Sequence, residues 1–399
     1  MKRRITSLLN LIKQVYPSVF ILLIAIQPAQ SQNPYGKFKN SLPSDENFFP
    51  IGVWLQNPAR AEEYKAIGIN LYIGLWRGPT EQQLSALKKA GMLLICEQND
   101  VGLQHIDDKT IVGWMHNDEP DNAQSLGKGK GYGPPVPPQK IIEDYKKIRK
   151  NDPSRPVLLN LGQGVAWDNW IGRGVRRNHP EDYPEYIKGC DIVSFDIYPA
   201  THSSPEIAGK LWYVAQGVQR LIDWSNGEKI VWNCIECTQI SNPNRKPKPE
   251  EVACEVWMSL IHGSRGIIYF VHQWQPKFVE AGLLSDKEMM TAVKKINLQI
   301  HELAPVLNSP TLSDNPVTVE WTPRNSRIAT LSKRYKENLY LFAVAMRDVK
   351  TKAYFKIKSL KSSASSAEVL YENRYINIKD GAFEDDFEPW SVHLYKIKE

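Results

Sequence analysis

The stretch Ile111-Val112-Gly113-Trp114-Met115-His116-Asn117-Asp118-Glu119-Pro120 constrains this chain more than any other. Ile111 to Met115 is apolar on both faces, and a polar burst follows it. Pro120 closes the run because proline cannot donate to a sheet ladder. A strand apolar on both faces is a central parallel strand covered by helices, and its C-terminal end is where such a sheet carries polar function. The same design returns at Ile230-Val231-Trp232-Asn233-Cys234-Ile235-Glu236-Cys237-Thr238-Gln239. Each stretch sets one glutamate at the mouth of an apolar strand. Two carboxylates on different strands are the minimum equipment for hydrolysing a glycosidic bond.

Six further runs complete the pattern: Phe48 to Leu55, Ile69 to Leu75, Met92 to Cys96, Pro156 to Gly162, Asp191 to Tyr198 and Gly266 to His272. Helical segments are predicted at Pro58 to Gly68, Thr80 to Gly91, Pro138 to Lys150, Glu206 to Trp224, Lys248 to His262 and Asp286 to Leu307. Thr80 is a cap, Glu81 suits the first turn, and Gly91 is a stop. Strands alternating with helices over roughly 260 residues predict a (β/α)8 TIM barrel. A doubly wound open sheet is the alternative, but it concentrates polar clusters at one switch point, whereas here they follow nearly every strand. From Thr311 helical signals stop and about seven short alternating stretches follow, which predicts a small C-terminal all-β sandwich. The expected division is 1–31, an export signal; 32–47, a polar segment; 48–308, the barrel; and 311–399, the sandwich.

The export signal rests on Lys2, Arg3 and Arg4, an apolar run from Val19 to Ile26, and small residues before Gln32. The expected location is therefore periplasmic or extracellular, with no membrane association after cleavage. Cleavage removes four basic residues and lowers the formal charge from +6 to +2, which leaves no electrostatic case for nucleic acid. The five cysteines, an odd number, read as buried small hydrophobes. Cys234 and Cys237 lack the second pair of a zinc site, and strand geometry sends them to opposite faces. No metal or cofactor is expected.

In barrels, polar residues at strand C-termini belong to the active site. The candidates under that rule are Trp54, Trp76, Gln98, Asn117, Asp118, Glu119, Asn160, Gln163, Asp196, Tyr198, His202, Glu236, His272 and Trp274. Glu119 is expected as general acid/base, since an apolar surround and neighbouring carboxylates raise a carboxyl pKa; a salt-bridged capping glutamate is the alternative, and Asp118 competes for the role. Glu236 is expected as nucleophile, or else as a buried partner of Arg265 or Arg173. Tyr198 is a core tyrosine or a donor to Glu236. Trp274 is a sugar-stacking platform or a plug. Trp54, Asn117, Asp118, Asn160, Gln163, His202 and His272 complete the expected substrate-binding set. Two loops, Gly127 to Pro138 and Gln163 to His179, are expected to rim the site.

These features resemble the clan of retaining glycoside hydrolases with (β/α)8 barrels that includes the cellulases and microbial β-galactosidases. In that clan the acid/base glutamate ends the fourth strand and the nucleophile ends the seventh, places that Glu119 and Glu236 occupy by strand count. The clan commonly has asparagine directly before its acid/base. Here Asn117 is displaced by one, with Asp118 between. The tyrosine after the sixth strand and the tryptophan after the eighth are similar to Tyr198 and Trp274. The resemblance implies an exported enzyme that cleaves β-linked glycosides or polysaccharide fragments with retention. A non-catalytic carbohydrate-binding barrel and a transglycosylase are the alternatives.

Overall fold

A computed structural model describes residues 33–312, 315–358, 360–361 and 364–399; the expected export signal lies outside them. The barrel strands are β1 (Ile51–Trp54), β2 (Leu71–Ile73), β3 (Leu93–Glu97), β4 (Ile111–Met115), β5 (Val157–Leu161), β6 (Ile192–Phe195), β7 (Ile230–Val231), β8 (Asn233–Glu236) and β9 (Ile267–Phe270). All their pairings are parallel, in the order β7-β6-β5-β4-β3-β2-β1-β9-β8. β7 and β8 are the two halves of one seventh strand, separated only by Trp232. The lower half pairs with β6 and the upper half with β9, so the ring closes as an eight-stranded barrel.

Alternate side chains divide between two cores. Leu71, Ile95, Val112, Met115, Leu158, Ile192, Trp232, Cys234 and Ile268 fill the barrel interior. Their neighbours face the helices α1 (Ala61–Ala66), α2 (Glu81–Ala90), α3 (Asp100–Gln104), α4 (Pro138–Asn151), α5 (Tyr183–Tyr186), α6 (Trp212–Trp224), α7 (Pro249–Ile261), α8 (Gly282–Ser285) and α9 (Lys287–Asn308). Thr80 caps α2 in a capping box with Gln83, and Gly91 ends it in the left-handed region (φ 65°). The helix expected from Glu206 starts later, at Trp212. Gly209 at φ 71° interrupts the segment before it. The polar segment before β1 closes the lower end of the barrel: Tyr35 is buried, donates to the Arg265 carbonyl (2.8 Å) and accepts from Trp232 Nε1 (2.8 Å).

The C-terminal strands are β10 (Val317–Thr322), β11 (Ile328–Tyr335), β12 (Asn338–Ala345), β13 (Thr351–Ile357), β14 (Ser366–Val369), β15 (Arg374–Asn377), β16 (Ala382–Phe387) and β17 (Val392–Lys398). They form antiparallel sheets of order β10-β13-β16 and β11-β12-β17-β14-β15. β16 was not expected, because its acidic centre, Glu384-Asp385-Asp386, breaks the apolar alternation. The sandwich shares a core with the barrel: Phe342 packs on Trp257 of α7 (5.2 Å between ring centroids), and Trp390 joins the same cluster. All five cysteines are buried and free. Among the described residues no helix is long and apolar enough to cross a membrane.

Candidate functional site

Past the end of β4 the chain turns sharply. His116 Nε2 donates to the Gly189 carbonyl (2.8 Å), which ties that side chain into the packing. Asn117 and Asp118 are exposed, and Glu119 is half-buried with φ 43°. A left-handed conformation at a non-glycine residue costs about 1–3 kcal/mol and persists where the surroundings enforce it. Here they do. The Glu119 N–H donates to the Asn160 carbonyl (3.2 Å), and the Asn122 N–H donates back to the Glu119 carbonyl (3.1 Å). Gly162 leaves room for the carboxyl, since a Cβ there would lie 2.9 Å from Glu119 Oε1.

Four carboxyl groups meet at the ends of β4 and β6. Asp118 Oδ1 accepts from Asn160 Nδ2 (2.9 Å), whose own Oδ1 accepts from Ser194 Oγ (2.7 Å), so the amide is fixed in one orientation. Although Asp118 is exposed at the surface, the protein packed around its carboxyl raises its pKa to about 6. Asp121 is buried and fully engaged, accepting from the Gly162 N–H (2.9 Å) and the Tyr183 hydroxyl (3.0 Å). Burial pushes the Glu119 pKa well up, and the charges of Asp196 and Asp118 push it further. The Glu119 carboxyl lies against that of Asp196, whose own pKa is raised by burial to about 7. Tyr198 donates to Asp196 (3.0 Å). Of the two readings of Tyr198, the structure fits the core one, with its hydroxyl bonded to Asp196 and not to Glu236.

Asp118 is also part of the wall of a cleft of about 930 Å3. The cleft runs across the ends of β1, β2 and β9, and Trp54, Trp76, His272, Trp274 and Phe278 line it. Trp76, Trp274 and Phe278 are half or more exposed, at 68%, 51% and 54%. Exposed aromatic faces of this size fit the C–H face of a sugar ring. Gln56 braces the cleft: its Oε1 accepts from the Tyr64 hydroxyl (2.6 Å), and its Nε2 donates to His272 Nε2 (3.1 Å). His272 Nε2 is thus an acceptor. Burial lowers the His272 pKa, so the ring is neutral.

Glu236 is placed differently. It is fully buried, and its Oε1 accepts from the Ala200 N–H (2.6 Å). Its Oε2 accepts from the Thr201 N–H (2.9 Å) and the Thr201 hydroxyl (2.6 Å). Glu255 of α7, itself fully buried, lies beside Glu236, and burial with the charge of Glu236 pushes its pKa well up. Burial raises the Glu236 pKa to about 7, against the pull of those three donors. The carboxyl expected to face Glu119 across the cleft is therefore sealed on the helix side, and it is bonded to neither Arg265 nor Arg173.

The other expected residues divide similarly. Asn160 is buried and acts on Asp118 rather than reaching the cleft. Gln163 Oε1 accepts from His202 Nε2 (3.0 Å), while His202 Nδ1 accepts from the Ser204 N–H (2.9 Å). Gln98 bonds to Asn151 and the Ile148 carbonyl of α4, away from the axis. Trp170, in the loop after β5, donates to Asn122 (2.9 Å) and props the Glu119 turn. Missed in the sequence were Phe278, Glu280 and Gln56, loop residues with no strand pattern to mark them. Among the described residues no group of three or more His, Cys, Asp or Glu is arranged to hold a metal ion.

No protein-family model and no curated protein matches the chain. Solved structures do. An alpha-amylase of Anoxybacillus superposes with a TM-score of 0.52 at 11% identity, over 89% of this chain and 98% of that one. A maltogenic alpha-amylase of Thermotoga neapolitana gives 0.50 at 9% identity, over 89% and 99%. The likeness is one of fold: a (β/α)8 barrel followed by a β domain.

Proposed function

We propose that this chain is an exported glycoside hydrolase whose catalytic proton comes from Glu119. One observation carries the reading: Glu119, whose pKa burial and neighbouring charges push well up, stands next to Asp118, which opens on an aromatic-walled cleft. A sugar seated on Trp274 and Trp76 would bring its glycosidic oxygen toward that corner. Glu119 would protonate the leaving oxygen, and ionised Asp118 would stabilise the positive charge that develops on the ring. Water attacking the anomeric carbon would replace the departing oxygen and give up a proton to the Asp196 and Glu119 carboxyls, which restores the acid for the next turnover. The amylase neighbours share this fold, and the substrate class we propose is β-linked glycosides or polysaccharide fragments.

The retaining course, with Glu236 as nucleophile, requires Glu236 to leave Ala200 and Thr201. While those bonds hold, Glu236 instead positions the loop that follows β6. The test is a panel of aryl glycosides and plant or algal polysaccharides with wild type, Glu119→Ala, Asp118→Ala and Glu236→Ala, the last with and without azide. Turnover by wild type that collapses in Glu119→Ala supports the proposal. Azide rescue of Glu236→Ala as the inverted glycosyl azide would restore Glu236 as nucleophile and retention with it.

The sealing of Glu236 also favours a second reading, a barrel that binds carbohydrate without cleaving it. Saturable sugar binding by folded wild type, with no turnover across the panel, would select that reading.

A further inference from the structure

A second cavity, of about 330 Å3, lies where α6 and the end of α7 meet the sandwich. Its walls carry Trp212, Gln216, Arg220, His262, Arg327 and Arg347, and no Asp or Glu among the described residues. Arg327 and Arg347 flank the paired ends of β11 and β12, and both line this cavity. Ile328 stands opposite Ala345, and the Met346 N–H donates to the Arg327 carbonyl (2.8 Å). Like charges on adjacent strands oppose folding unless something compensates them.

No carboxylate among the described residues pairs with either of these two. Arg220 is spent on Asp168 (2.7 and 3.3 Å), but neither Arg327 nor Arg347 makes an ion pair among the described residues. Arg347 is nevertheless held in place. Its guanidinium lies 4.0 Å from the centre of the Trp212 ring, and its Nη1 donates to the Met346 carbonyl (2.7 Å). Its pKa is lowered by burial and by the charge of Arg327. His262 Nδ1 donates to the Met258 carbonyl (2.8 Å), and Nε2 has no hydrogen-bond partner among the described residues. A fixed guanidinium at Arg347 beside an exposed one at Arg327, with no carboxylate paired to either among the described residues, is a donor arrangement that oxyanions satisfy.

We infer that this cavity binds a small ligand bearing a phosphate, sulfate or carboxylate group, held between Arg327 and Arg347. The site shares no lining residue with the aromatic cleft or the carboxyl cluster and does not depend on the chain being a hydrolase. The volume sits at the lower end of the range for small-molecule sites, about 300–1,000 Å3, so it admits either a free oxyanion or one carried on a single sugar.

The test is thermal unfolding and titration calorimetry of the full chain in sulfate and in phosphate, against chloride at equal ionic strength. Glucuronate and glucose 6-phosphate form a second arm, with glucose as the neutral control. Sulfate or phosphate should raise the melting temperature above chloride, and Arg327→Gln and Arg347→Gln should each weaken binding on the order of ten-fold. Tighter binding in the second arm assigns the site to a sugar-borne anion. Equal or tighter binding of the inorganic ions assigns it to the free anion. The inference is overturned if neither oxyanion exceeds chloride, or if the shift survives unchanged in the folded double variant Arg327→Gln/Arg347→Gln.

Discussion

Two carboxyl pairs stand at the upper end of the barrel, and they are alike in chemistry. In each, a glutamate whose pKa is pushed well up lies beside a carboxyl with a pKa near 7: Glu119 beside Asp196, and Glu255 beside Glu236. They differ in what lies beside them. The first pair adjoins Asp118 and an open aromatic cleft, and Glu119 sits in a strained backbone conformation. The second is closed over by the Ala200 and Thr201 backbone and has no solvent-facing side. A raised pKa therefore does not by itself mark a catalytic group. Access does, and it divides a pair suited to proton transfer from a pair suited to holding the sixth and seventh strands together.

The largest expected effect is on the open pair. Glu119→Gln should lower kcat/KM by about 10²–10⁴-fold, the usual contribution of a general acid, while the melting temperature changes little. Glu236→Ala should do the reverse. It strands the Ala200 and Thr201 N–H groups, the Thr201 hydroxyl and the Glu255 carboxyl, so unfolding free energy should fall by about 2–4 kcal/mol. Chemical denaturation and initial rates on both variants check the comparison. A stable Glu236→Ala with azide-rescued activity would dissolve it and make the two glutamates one catalytic pair.

The pH dependence of stability should separate the pairs next. Glu236 moves from an ordinary 4.5 to about 7 on folding, chiefly through burial. Between those values the folded chain binds more protons than the unfolded one. Its stabilising contribution is then full below about 4.5 and is lost as pH rises through 7, with a slope of at most about 1.4 kcal/mol per pH unit for one proton. Glu255→Gln replaces the shared proton with an amide that donates without titrating, so stability in this variant should fall less steeply with pH. Urea unfolding of wild type and Glu255→Gln, from about pH 5 to pH 8, reads the difference. Equal slopes would show that the closed pair shares no proton.

The barrel was legible because its signal is local. Double-sided apolar runs such as Ile111 to Met115, with Thr80 and Gly91 bounding a helix between two others, identify elements one at a time, and parallel closure follows from their alternation. Glu119 and Asp196 were legible for the same reason, as polar residues at strand ends. The seal over Glu236 was not. It depends on where Ala200 and Thr201 fall after β6 and on Glu255 from α7, contacts that no spacing within the Ile230 to Gln239 stretch encodes. Tyr198 went to Asp196 instead of Glu236 because a partner two residues away competes better than one on another strand. The cleft wall at Phe278 and Glu280 comes from loops, whose conformation the strand pattern leaves open.

The smallest effect tests the cleft itself. If substrate lies on the side of the open pair, Trp274 contributes binding in the ground state and the transition state alike. Trp274→Ala should then raise KM about ten-fold, consistent with the ~0.5–1.5 kcal/mol typical of an aromatic face contact beyond its buried area, and leave kcat near wild type. Stability should hardly change, because the indole is 51% exposed and carries little of the core. Steady-state rates on the best substrate of the panel, with a melting curve as control, make the measurement. An unchanged KM with a lowered kcat would sink the stacking role. It would make Trp274 instead a brace for its neighbours Phe278 and His272, whose rings lie 4.8 and 6.4 Å from it.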